Sequence, residues 1–214
     1  MAKRPVYFIK DGIVCEREVE FEWFAGFAIS QKQRSINSLH TAIIRLVPDA
    51  SPLEISTKST ELLGVSLSAF NLKLNGYPLE SVFQSSKVFD DTNSPHTEWL
   101  THHPKEAKSK AAELHSSGHR LTGFLYNGVS FPLQPLTAFY DYIYMRAVIE
   151  SLSSNKIAQL SQFDHFTDIE FNSQKSLNTQ ARTAAMMKQM LDEFGCIKLF
   201  TRNEFIDYHK KHIR

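Results

Sequence analysis

The sequence predicts an α+β fold, rich in helix with short strands, and three observations carry that reading. An alternating Val, Phe, Tyr and Ile run is broken by "KDG" near the N-terminus, an Asn-Gly pair splits "LYNGVSF", and segments with helical apolar spacing fill most of the rest. Residues 3 to 29 ("PVYFIKDGIVCEREVEFEWF" at their centre) therefore read as a hairpin. "SINSLHTAIIRL" follows as a helix through Ile36, Leu39, Ile43 and Leu46, starting near Ser35 or Ser38 and closed by Pro48 and Pro52. "LEISTKS" reads as a short strand, "GVSLSAFNLKLNG" as a turn and a second strand, and "LNGYP" as a turn.

Residues 77 to 90, "YPLESVFQSSKVFD", are expected to form one helix. At about 100° per residue, Leu79, Val82, Phe83, Ser86 and Phe89 make an apolar stripe bordered by a row of Glu80, Gln84 and Lys87. "DDTNSPHTE" is turn chemistry, and a polar helix runs on to about residue 116. "SSGHRLTGFLYNGVSFPL" predicts two strands joined by the Asn-Gly turn, with Pro132 and Pro135 preparing a helix start. "LTAFYDYIYMRAVIESL" is aromatic on most sides and is expected to be the central buried helix. "KIAQLSQFDHF" reads as helical, "TDIEFNSQKSLN" as a polar loop, and "TQARTAAMMKQMLDEFG" as a helix with Gly195 just past its end.

The 214 residues, 42% hydrophobic and 22% charged, suit one compact domain and exclude a wholly disordered chain. No apolar run approaches the roughly 20 residues of a membrane span, and "MAKRPVYFIKDG" lacks a signal-peptide core, so a cytoplasmic protein without a membrane partner is expected. Cys15 and Cys196 are too few and too distant in sequence to suggest a disulfide framework or a cysteine metal site. His115 and His119 have the spacing of a helical metal pair, but Gly118 is expected to end that helix, and no metal is assigned. With 8 glycines and no Walker or Rossmann fingerprint, no cofactor is assigned either.

A net charge of +1 gives no global pull on nucleic acid, which leaves local patches. The candidates are residues 102 to 120, with Lys105, Lys108, Lys110 and Arg120 against Glu106 and Glu113, and the tail "YHKKHIR"; both also read as solvated surface. The strongest chemistry lies in the Glu80, Gln84, Lys87 row. A nucleophilic lysine must be neutral part of the time, burial beside Phe83 favours that, and a nearby carboxylate can shuttle protons while the carboxamide orients a ligand. The same residues also fit a weak surface pair on a helix flank.

"LSAFNLKLNGYPLESVFQSSKVF" (67 to 89) resembles the signature of the NADAR family, through "LSAF", "NG" and then Glu80, Phe83, Gln84 and Lys87. Members of that family recognise ADP-ribose or related ribosyl phosphates and include N-glycosidases of riboflavin-pathway intermediates. "FEWFAGFAISQKQRSINSLH", "LEISTKS", "PLQPLTAFYDYIY" and "FTDIEFNSQKSLNTQARTAA" extend the resemblance, over nearly the whole chain, to the NADAR antitoxins encoded with DarT-type toxins, which ADP-ribosylate guanine in DNA. The resemblance implies a single NADAR domain, with residues 1–50 a hairpin-helix extension packed on a catalytic domain of residues 51–214.

It further implies a DNA ADP-ribosylglycohydrolase with Lys87 as covalent nucleophile and Glu80 as its acid/base or orienting partner. The partners would be ADP-ribosylated DNA, the product ADP-ribose and a cognate DarT-type toxin. Two alternatives stay open: an N-glycosidase of a riboflavin-pathway metabolite, and a non-catalytic ADP-ribose-binding module. Further binding candidates are Ser56, Thr57, Lys58 and Ser59 as pyrophosphate donors, Ser68 and Phe70 from the signature, and Gln84. Asp168 is suited to ribose hydroxyls, Arg182 to a phosphate, and Asn172 lies in the same polar loop, while Asn178 fits a helix cap equally well. Trp99, Phe124 and Tyr126 are candidates to hold a flipped base. After "KVF" the resemblance leads one to expect a glycine-containing turn, but Asp90 and Asp91 stand there, able to repel phosphate or assist proton transfer.

Overall fold

The computed structural model describes residues 1–171 and 180–213. At the N-terminus, β1 (Ala2–Lys10) and β2 (Ile13–Phe21) form the expected antiparallel hairpin. Its turn residues Asp11 and Gly12 have φ of 52° and 73°, the left-handed pair that a two-residue hairpin matched to strand twist requires. β1 also pairs antiparallel with β9 (His165–Thr167), which pairs parallel with β3 (Pro52–Glu54), giving the sheet order β2-β1-β9-β3. β9 was expected as the end of a helical segment and the start of a loop. Three residues are too few to display alternation, and pairing on both edges makes them a strand.

Helix α1 (Ile29–Leu46) begins ahead of the serines expected to start it. Ser35 and Ser38 instead accept hydrogen bonds from the Phe24 (2.9 Å) and Glu22 (3.1 Å) amides, tying the end of the hairpin to the side of the helix. Ile36, Leu39 and Ile43 pack on Val6, Val19 and Phe21, whereas Leu46, in the last turn, is exposed. The expected strand within "GVSLSAFNLKLNG" shrinks to β4 (Lys73–Leu74), paired with β5 (Tyr77–Pro78) across Asn75 and Gly76. Its first part is a short helix, α2 (Leu62–Leu67), whose Gly64 lies against the Glu54 carbonyl and Ser59 Oγ, where any side chain would collide.

The helix expected over residues 77 to 90 is two elements, α3 (Leu79–Ser85) and the strand β6 (Lys87–Phe89). The Val82 carbonyl receives the Ser86 amide (3.1 Å) and both the Ser85 (3.0 Å) and Ser86 (2.8 Å) hydroxyls, which saturates the last turn. The Ser86 carbonyl then accepts from the Leu125 amide at 2.8 Å, and the chain enters a second sheet. There β6 pairs with β7 (Leu121–Tyr126), which forms the expected hairpin with β8 (Val129–Phe131) about Asn127 and Gly128. Phe89 consequently leaves the Phe83 stripe and packs with Trp99, Ala107 and Ala111 under helix α4 (Pro104–Ser116).

Helix α5 (Ala138–Ser151) is the expected buried element, with Ile143, Tyr144, Met145, Ala147 and Val148 in the main core. It is followed by α6 (Ser154–Ala158), a 3-10 turn (Gln159–Gln162) and α7 (Gln180–Phe194), which ends as expected at Gly195 with φ of 70°. α8 (Arg202–His212) was read only as a basic tail; its signal was the capping box of Thr201 and Glu204, and its apolar face is Phe205, Ile206 and Tyr208. No helix among the described residues is long and apolar enough to cross a membrane.

Gly64 yields a direct test of this packing. Gly64→Ala should lower the unfolding free energy by at least about 2 kcal/mol, seen as a lower urea midpoint at unchanged slope, because backbone and not a flexible side chain opposes the new methyl.

Candidate functional site

The break after α3 aims three side chains at one cavity of about 700 Å³. Glu80 and Gln84, one turn apart on α3, and Lys87 on β6 form one wall. Phe124 of β7, residues 132–137, and Phe139 and Tyr140 of α5 form the others, with Lys108 of α4 at the margin. The floor is aromatic: the Phe83 ring stacks on Phe124 (5.6 Å between centroids) and meets Tyr140 edge-on (5.0 Å), while Phe124 stacks on Phe139 at 4.5 Å.

Lys87 Nζ sits 5.1 Å from the centroid of the Phe83 ring, and no carboxylate lies within 4 Å of it among the described residues. Burial pushes its pKa below the ordinary lysine value; the Glu80 carboxylate opposes that shift and Lys108 adds to it. The Gln84 amide donates to Glu80 Oε1 at 2.8 Å, which fixes the carboxamide with its nitrogen toward the carboxylate. Gln84 Oε1 is buried without a partner among the described residues, an acceptor whose desolvation costs about 1–3 kcal/mol until a donor reaches it. The wall thus offers an amine whose pKa is lowered, an oriented carboxylate and an unsatisfied acceptor above an apolar floor.

The other sequence candidates lie elsewhere. Arg182 donates to Asp141 Oδ2 (2.8 Å) and to the Thr137 hydroxyl, and Thr137 lines the cavity, so the guanidinium braces the wall from behind. Asp141 is fully buried; burial alone would raise its pKa, but Arg182, His209 (2.9 Å) and Thr183 (2.6 Å) hold it below the usual carboxylate value. Ser56 and Ser59 are buried in the turn after β3, where Ser56 Oγ accepts from the Lys58 amide and Ser59 Oγ from the Glu61 amide. Lys58 Nζ donates to Thr57 Oγ1. Ser68 Oγ is buried without a partner among the described residues, Phe70 is 83% exposed, and neither lines the cavity. Asn172 and Asn178 fall outside the described residues.

Asp168 accepts from the Gln180 side chain at 2.6 Å, and Gln180 in turn accepts from the Ala69 amide next to Ser68. Of the proposed base-holding aromatics only Phe124 lines the cavity; Trp99 is buried against His96, and Tyr126 is buried beside Asn75. Asp90 is clamped to the Arg120 amide and guanidinium, Asp91 lies near His96, and neither faces the cavity. His119 lies beyond the end of α4 and meets Asp90, so the i, i+4 pair is not on one helix. Among the described residues no three His, Cys, Asp or Glu side chains converge as a metal site. Among the cavity residues not picked out as site residues are Lys108, Thr137, Phe139 and Tyr140; Lys108 was visible only as part of a basic run, and the chain fold is what brings it to the margin.

The buried acids Glu54 and Asp168 generate a pH prediction. Burial raises both carboxyls; the Glu54 charge adds to the shift of Asp168, which is pushed up to about 7, and the Glu170 charge adds to that of Glu54. A carboxyl raised on folding contributes stability that is fully present below its unfolded pKa of about 3.9 and is lost as pH rises through its folded value. The stability of wild type relative to Asp168→Asn should therefore fall as pH rises from about 4 to about 7 and then level off, measured by urea unfolding across that range.

No curated protein matches the chain. A family model does, the one described as DarT1-associated NADAR antitoxin, and it covers residues 2–214. Spanning essentially every residue, from the hairpin that carries Tyr7 into the core to the helix that brings His209 to Asp141, the match establishes that this chain belongs to the DarT1-associated NADAR antitoxin family.

Proposed function

We propose that the protein is an antitoxin enzyme that hydrolyses the N-glycosidic link between ADP-ribose and guanine in DNA, undoing the modification made by a DarT-type toxin. The observation that carries this reading is the half-buried Lys87 amine, its pKa lowered, beside the Glu80–Gln84 pair in a cavity of ligand size. Family membership supplies the antitoxin context, and the cavity supplies the chemistry.

ADP-ribose joined through the exocyclic amine of guanine is an N,O-acetal at C1. A proton given to the ribose ring oxygen, by Glu80 in this reading, breaks the C1–O bond and leaves an iminium between C1 and the guanine nitrogen. The neutral Lys87 amine adds to C1; a proton moves from the lysine nitrogen to the guanine nitrogen, and the C1–guanine bond breaks, restoring the base. Water then adds to the lysine Schiff base, and ADP-ribose leaves as lysine regains its amine. Gln84 Oε1 would accept a hydrogen bond from a ribose hydroxyl or guanine N–H, completing its own bonding. In the competing mechanism Lys87 stays a cation, stabilises developing charge, and water attacks C1 directly.

Two outcomes are expected with DNA ADP-ribosylated on guanine. Borohydride should trap an ADP-ribose adduct, read by intact mass, that is absent in Lys87→Ala; release without an adduct would favour direct water attack. No release at all would transfer the reading to a metabolite substrate or to a binding module, and for a module Lys87→Ala would still protect cells from the toxin.

The second outcome concerns pH and Glu80. Because only neutral Lys87 attacks, the trapping rate should climb with pH through a midpoint below the ordinary lysine value of about 10.4. Glu80→Gln should slow release by about 10²–10⁴-fold while leaving the fold intact by circular dichroism.

A further inference from the structure

Lys108 stands at the margin of the cavity, on a different element from Lys87 and Glu80. It is exposed, and no carboxylate lies within 4 Å of it among the described residues. The acids of its own helix are otherwise engaged: Glu106 lies 3.6 Å from His102, and Glu113 accepts from Ser109 at 3.1 Å. Glu80, the one carboxylate among the residues lining the cavity, accepts from Gln84 on its Oε1. On α4, whose buried face is Ala107 and Ala111, helical spacing places Lys105, Lys108 and His115 on one exposed side.

Resting on the glycohydrolase reading above, we propose that Lys108 is the phosphate-binding residue of this cavity, contacting a phosphate diester anion of the substrate while Lys87 is left to react. The alternatives for the cation are poor: Lys87 is half-buried with its amine over the Phe83 ring, and Arg182 is occupied by Asp141 and Thr137 and does not line the cavity. A lysine serves here as a point charge on a flexible stem, able to follow a phosphate without the fixed fork of arginine. The anion has two sources in such a substrate, the pyrophosphate of the ADP-ribose unit and the backbone phosphate of the DNA strand. The positive charge acts on the amine as well, since Lys108 contributes to the lowering of the Lys87 pKa.

The test is titration of the wild type, Lys108→Ala and Lys108→Arg with two probes, ADP-ribose and an unmodified single-stranded oligonucleotide. Lys108 is an exposed helix residue, and an alanine there should leave the fold and its stability within about 0.5 kcal/mol. Lys108→Ala should weaken one probe by about tenfold, with a shallower salt dependence, and Lys108→Arg should restore most of the loss. A loss confined to ADP-ribose assigns the pyrophosphate; a loss confined to the oligonucleotide assigns the backbone. In parallel, the pH midpoint of borohydride trapping should move upward in Lys108→Ala as a like charge is removed.

Unchanged affinity of Lys108→Ala for both probes, or no binding of either by the wild type, would overturn the assignment. Failure of the glycohydrolase reading looks different: the probes would bind and depend on Lys108, yet modified guanine would not be released.

Discussion

The candidate site depends on the chain leaving its helix at Ser86. Three donors converge on the Val82 carbonyl, and the Ser86 carbonyl is taken by the Leu125 amide of a neighbouring strand. Had the helix continued, Lys87 would lie along the same cylinder as Glu80, held apart by the rise of 1.5 Å per residue and free to swing into solvent. As a strand residue paired in register with Phe124, it has its backbone held by the sheet and its amine over the Phe83 ring. Rigidity of the backbone at that point limits how far the amine can stray, which is what a reacting group needs.

Behind the opposite wall lies a second constraint of a different kind. Asp141 is buried on α5 with its oxygens fully engaged by Arg182 of α7, His209 of α8, Thr183 and Thr137. A buried carboxylate is tolerated only when bound this completely, and loss of one partner from such a cluster costs about 3–5 kcal/mol. The network ties three helices to Thr137, a non-glycine residue held at φ of 72° in the segment that lines the cavity. The C-terminal helix is thus coupled to the wall of the site through two side chains, although none of the described residues on it lines the cavity.

How much of this could be read from the sequence varied with the kind of signal. The two hairpins announced themselves because Asp11-Gly12 and Asn127-Gly128 encode left-handed φ values that few other pairs adopt. The buried helix α5 was legible from aromatic residues on every side. The Glu80, Gln84, Lys87 grouping was found, but through a helix that does not exist past Ser85; i+7 spacing and a helix-to-strand crossover both put Lys87 beside Phe83, so a wrong local geometry led to the same neighbours. What stayed hidden was tertiary. Nothing local in "HFT" says strand, because its partners lie more than a hundred residues away in each case, and nothing in "KEAKSK" distinguishes Lys108 from Lys105.

The contrast between the two sets of buried polar groups argues for where the fold has left work undone. Glu54 is satisfied on both oxygens, by the Ile169 amide at 2.8 Å and the Thr167 hydroxyl at 2.6 Å, and Asp141 likewise, so these groups are complete without any ligand. Around the cavity the accounts differ: among the described residues Lys87 has an aromatic face and no carboxylate within 4 Å, and Gln84 has one end bound and the other bare. An apolar floor raises the cost of each unmet group, since the low dielectric that strengthens a made interaction also penalises an absent one. Selection for stability alone would replace such residues by apolar ones. Their presence together on one wall, at a cost in stability, fits the proposed site, in which an incoming substrate would complete their bonding.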